Sequence, residues 1–125
     1  MTHSSRPVFL NLTQIRMPVG ALTSIGHRVA GILLAAGVPV GVLLLDRSLL
    51  NEQGFADVSG LLGHGAVKVA IVLVVWALAH HVLAGVRHLL SDFNVGSPLR
   101  SARRSAWFVN LGSVAVALFA SAALL

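Results

Sequence analysis

Three long stretches without a charged side chain govern what this chain of 125 residues can become: Val29 to Leu45, Val69 to Val86 and Ser105 to Leu125. Each approaches or exceeds the roughly 17–25 residues that a helix needs to cross a bilayer core. The chain is 56% hydrophobic and only 10% charged, with a mean hydropathy of +0.86. A soluble domain would carry about a quarter charged residues. The expected fold class is therefore all-α, an integral membrane protein with three transmembrane helices. One domain accounts for the whole chain, with a polar arm at 1–20 and spans at about 21–46, 66–90 and 104–125.

The N-terminal arm is polar and lacks the short apolar region of a signal peptide, and two further spans follow the first, so a removable leader is not expected. The arm also lacks the Arg-rich, Ser-rich amphipathic look of a transit peptide, and a bacterial inner membrane fits best. Seven of the nine basic residues fall on one side of the three spans: Arg6, Arg16, Arg28, Arg87, Arg100, Arg103 and Arg104. The positive-inside bias then places the N-terminus in the cytoplasm and the C-terminus in the periplasm. Anionic lipid and a mixed partner surface account for the net charge of +5, and no nucleic acid is needed to explain it.

The chain has no cysteine. That excludes an iron–sulfur cluster held by this chain, haem attached through Cys-x-x-Cys-His, and any disulfide framework. A metal centre would have to rest on histidine. His81 and His88 stand at the end of the second apolar run, seven positions apart. On an ideal helix seven positions advance roughly 700°, so the two imidazoles lie about 20° apart on one face, roughly 10 Å apart along the axis. Ionisable groups at membrane depth are costly, and they point to function. Gly85 lies on the same stripe, one turn from His81, and removes a side chain where a flat macrocycle would approach. In the first span Ser24, His27 and Arg28 fall at i, i+3 and i+4 on one face. Antiparallel spans bring Arg28, His27, Arg87 and His88 to similar depth, with His81 about two turns deeper. A haem with its iron at His81 and its propionates near the arginines suits that arrangement.

Plainer readings stand beside this one. Arg28, Arg87 and His88 can snorkel to the membrane surface. His80 points about 100° away from His81 and reads as structural, facing headgroups, a partner helix or a hydrogen-bond acceptor. His64 and His3 read as surface residues. Pro39 inside the first span implies a bend. Ser113, Ala117 and Ser121 form a small-residue stripe for close helix contact, and Trp107 and Phe108 read as interface anchors.

Taken together, Arg6-Pro7-Val8-Phe9-Leu10-Asn11-Leu12, Ser24-Ile25-Gly26-His27-Arg28-Val29-Ala30-Gly31 and His81-Val82-Leu83-Ala84-Gly85-Val86-Arg87-His88-Leu89-Leu90-Ser91-Asp92-Phe93 resemble the cytochrome b subunit of succinate dehydrogenase. The match covers nearly the whole chain in order, spacing and span count. The resemblance implies a helical bundle completed by a second small membrane-anchor subunit, the pair holding an iron–sulfur subunit and a flavoprotein subunit at the cytoplasmic face. It implies one haem b shared between the two anchors, with His81 as the axial ligand from this chain. His27, Arg28 and His88 match positions near the propionates, and Ser24 and Arg28 match residues at the site for ubiquinone or menaquinone. Asp92 matches an acidic position with no role assigned. Where relatives carry an aromatic or small residue before the ligand, this chain has His80. The isolated chain is not expected to oxidise succinate, since flavin chemistry lies in another subunit. Two alternatives remain: the anchor of a fumarate reductase, and a haem-free membrane anchor or proton-relay protein.

Overall fold

The computed structural model describes residues 14–124. His3 and the Arg6–Leu12 motif lie outside the described residues. Four helices follow in order: α1 (Val19–Leu50), α2 (Glu52–Gly63), α3 (Gly65–Asp92) and α4 (Leu99–Leu124). Among the described residues there is no strand. The protein is all-α, and α1, α3 and α4 are each long and apolar enough to span a bilayer, with mean hydropathies of 2.2, 2.3 and 1.8 over their most apolar windows. At 1.5 Å per residue the 32 residues of α1 run about 48 Å, well beyond a hydrocarbon core of about 30 Å. The helix passes unbroken through Pro39.

α3 packs against both α1 and α4, and α1 also touches α4. Small residues let the helices meet. Ala30, Ala77, Ala84, Ala106, Thr23 and Ser113 are fully buried, while Ile32, Leu43, Phe108 and Phe119 point outward. That distribution inverts a soluble core, because lipid is as apolar as leucine and only close packing and polar contacts draw helices together. The expected stripe on α4 is only partly the packed one. The buried line runs through Ala106, Val109 and Ser113, and Ala117 and Ser121 are only half-buried. Trp107 and Phe108 are exposed, as interface anchors require.

Two connections differ in character. After α3 the chain turns through Asn94 (φ 59°) and Gly96 (φ 77°), left-handed positions that Asn and Gly tolerate best. The Val95 N–H bonds back to the Leu90 carbonyl, and Pro98 starts α4 by accepting the Ala102 N–H. The connection between α1 and α3 holds a helix, α2, that the hydropathy reading passed over. Asn51 caps it, its Oδ1 accepting the Gly54 N–H at 2.7 Å, and Glu52 sits in the first turn where it favours the helix dipole. Gly54 packs on the Arg47 carbonyl so closely that no Cβ fits there. Asp57 accepts from Gln53 at 2.8 Å and from Arg47 at 3.2 Å, and these two bonds, Gln53 foremost, hold its carboxyl below the usual range. Val58 and Leu62 roof an apolar groove of about 630 Å³ between α1 and α3. Replacing Asn51 by alanine is expected to cost about 1 kcal/mol of α2 stability, a roughly fivefold faster amide exchange confined to that helix. Exchange over residues 52–63 that stays at the wild-type rate would mean that packing, not the cap, holds α2.

Candidate functional site

Four histidines converge where α1 crosses α3. Seven-residue spacing puts those of α3 on two stripes, and the position of α4 shows what each stripe faces. His81 and His88 face α1 on the open side, and His80 and Arg87, also seven apart, face α4.

On the open stripe, the rings of His27 and His81 stack with centroids 4.2 Å apart and planes within 12°. His27 also lies 5.4 Å from the His88 ring. His81 Nδ1 is 3.2 Å from the His27 carbonyl oxygen. A carbonyl only accepts, so Nδ1 carries the proton and Nε2 keeps its lone pair. Gly31 makes room for this ring, since a Cβ there would lie 3.3 Å from His81 Cε1. A Cβ added at Gly85 would lie 3.6 Å from His27 Nε2, an ordinary contact distance. Ser24 Oγ and His88 Nε2 stand 3.4 Å apart. Ser24, His27, His81 and His88 are all half-buried, and Arg28 is exposed beside them with no hydrogen bond to the rings.

On the other stripe, His80 is 3% exposed. Its Nε2 lies 3.3 Å from the Thr23 carbonyl, and its Nδ1 lies 3.1 Å from Ser113 Oγ. His80 thus meets a partner helix and a hydrogen-bond acceptor, two of the structural settings open to it on sequence. Arg87 corrects the expectation that it would join the other arginine and the histidines. Its Nε donates to Ser105 Oγ at 3.1 Å and its Nη2 to the Ala102 carbonyl at 3.3 Å. One position along a helix is a rotation of about 100°, which turns Arg87 away from His88 and onto α4. Thr23, Asn110, Gly26 and Gly31 were not singled out for these contacts from sequence, because each matters only through a residue on a different helix.

The donor set is narrow. Among the described residues no three His, Asp or Glu side chains are arranged to hold a metal ion between them. The chain offers instead a single oriented imidazole nitrogen beside further polar side chains, which suits a group that takes its remaining ligand from elsewhere.

Fold and site together define a class: a multi-pass membrane bundle with an open histidine cleft near one end of its spans. The sequence model of the succinate dehydrogenase/fumarate reductase transmembrane subunits matches residues 2–120, and the chain belongs to that family. It is 35% identical over 108 residues to the succinate dehydrogenase cytochrome b556 subunit of Coxiella burnetii, covering 86% of each chain. It is 30% identical to that of Paracoccus denitrificans, covering 94% of this chain and 91% of the relative. Identity to the mitochondrial cytochrome b560 subunit of Mus musculus is also 30%, over 98% of this chain and 72% of the relative. The chain is accordingly a membrane-anchor subunit of succinate dehydrogenase.

Proposed function

We propose that this subunit supplies one axial ligand, His81, to a haem b shared with a second small membrane-anchor subunit, and that Ser24 and Arg28 help bind the quinone that receives the electrons of succinate. The observation that carries this reading is the His81 ring itself. Its Nδ1–H is held by the His27 carbonyl and its Nε2 is left with a free lone pair. Metal-binding histidines are oriented in this way, by a carbonyl or carboxylate on the other ring nitrogen. When bound, the haem would supply a one-electron carrier, which suits electron transfer.

The chain's own residues do the rest. His27 covers one face of the His81 ring, and with Arg28 and His88 it provides donors for propionate carboxylates. The Arg28 guanidinium offers donors and no acceptor, so it can stabilise negative charge but cannot relay a proton. The Ser24 hydroxyl can donate to a quinone carbonyl oxygen, and His88 Nε2, 3.4 Å away, is the near group able to hand it a proton. The exposed apolar side chains flanking the cleft, Ile25, Val29, Val82 and Val86, give the second anchor a surface to cover. With the basic residues cytoplasmic, this cleft faces the side on which an iron–sulfur subunit and a flavoprotein would dock. The site then lies in the inner membrane, with the C-terminus periplasmic.

The test is a reduced-minus-oxidised optical spectrum of the complex purified through a tag on this chain. A b-type spectrum with one haem per copy of the chain is expected. A complex that oxidises succinate but holds no haem would leave this chain an anchor at most.

A further inference from the structure

His80, the residue beside the proposed ligand, is held more tightly than the ligand itself. It is buried where α1, α3 and α4 meet, and it is the only imidazole among the described residues with both nitrogens engaged. The Thr23 carbonyl can only accept, so Nε2 carries the proton. Nδ1 then faces the Ser113 hydroxyl at 3.1 Å, and that hydroxyl's one proton is shared between Nδ1 and the Asn110 carbonyl, 3.0 Å from the oxygen. Thr23 closes the junction from the other side: its hydroxyl lies 2.9 Å from the Val19 carbonyl and 3.1 Å from Asn110 Oδ1. Every polar side-chain atom buried here has a partner.

The placement on α1 is what gives this junction a consequence. Thr23 and His27 are four apart, so their carbonyls lie one turn apart on the same line of the helix. His80 takes the first and His81 takes the second, at 3.3 and 3.2 Å. Two adjacent rings on α3, splayed by about 100°, therefore straddle α1 and grip consecutive carbonyls. Gly26 lies between the grips. A Cβ there would come within 2.6 Å of His80 Nε2, so only glycine admits the ring. α3 cannot turn about its axis or slide along α1 without breaking both bonds. One of the two rings is bolted on its far side to Ser113 of α4, and the other faces the open cleft.

We propose that His80 is a positioning residue for His81: it fixes the rotation of α3 and so the plane and direction of the ligand ring. This rests on His81 being the haem ligand of this chain. The orientation of an axial imidazole and the hydrogen bonding behind it tune the metal it holds. A shifted His81 ring should therefore be read at the metal even where assembly and catalysis survive.

The experiment compares purified wild-type complex with His80→Leu, His80→Gln and Ser113→Ala, using the low-spin ferric electron paramagnetic resonance signal and the haem midpoint potential. His80→Leu is expected to keep haem but shift both readouts. His80→Gln, which can still donate to the Thr23 carbonyl, should return them toward wild type. Ser113→Ala should shift them in the same direction by less. If His80→Leu does not assemble, Ser113→Ala decides. Wild-type signals in every assembled variant overturn the positioning role and leave the ligand assignment standing. Haem lost in His80→Leu yet retained in His81→Ala makes His80 the ligand and overturns both readings, as does a wild-type complex without haem.

Discussion

The His81→Ala complex is expected to lose the b-type absorbance of the wild type, or to show it displaced, while still oxidising succinate with an artificial electron acceptor. Removing a hydrogen-bond partner from behind a metal ligand typically costs about 10–100-fold in affinity, and removing the ligand itself should cost no less. Alanine also leaves the His27 ring without its stacking partner and removes one of the two grips of α3 on α1, the bond to the His27 carbonyl. The His80 junction and the close packing at Ala77 and Ala84 remain to hold the crossing. The dye reaction tests this directly, because it requires the catalytic subunits to remain attached to a folded anchor. His64→Ala is the control. It removes an imidazole at the start of the same helix, outside the cleft, and it should retain the haem signal. An unchanged spectrum in His81→Ala would send the ligand to another chain or to His80. The second choice would require the three-helix junction to come apart, since both His80 nitrogens are already engaged.

The spans and the stripe of His81 and His88 were legible in the sequence because both depend on one helix alone. Hydropathy needs only a run of side chains, and a seven-residue spacing fixes a shared face on any α-helix. The helix α2 carried a local signature too, a capping Asn51 followed by Glu52 and apolar residues at 55, 58 and 62, but it stood in a stretch read as a connection. What could not be read was the direction of each stripe. His80 and Arg87 repeat the same spacing as His81 and His88, and only the position of α4 says which pair is bolted to a neighbour and which faces the cleft. Arg87 was therefore grouped with the wrong neighbours. Gly26 and Gly31 appeared as letters in a motif, and their purpose is visible only as the space that His80 and His81 occupy across the helix boundary.

Arg28→Leu should separate the two activities of the complex. Quinone-dependent turnover is expected to fall on the order of a hundredfold, the usual effect of removing one preorganised donor from a reacting oxygen, and the dye reaction is expected to hold. The side chain is exposed, and among the described residues it makes no bond to the neighbouring rings, so leucine removes no contact that holds the described helices together. Leucine there matches the apolar surface that Ile25 and Val29 already present. Arg28 lies one turn from Ser24, so a group that accepts from the hydroxyl comes within reach of the guanidinium. Arg28→Lys refines the result: lysine keeps the charge but not the planar fork, so partial activity would show that charge is the larger contribution. Equal loss of both activities would mean that Arg28 secures the catalytic subunits. Full retention of both would remove it from the quinone site, leaving the Ser24 hydroxyl and His88 as the polar groups of this chain that could meet a quinone there.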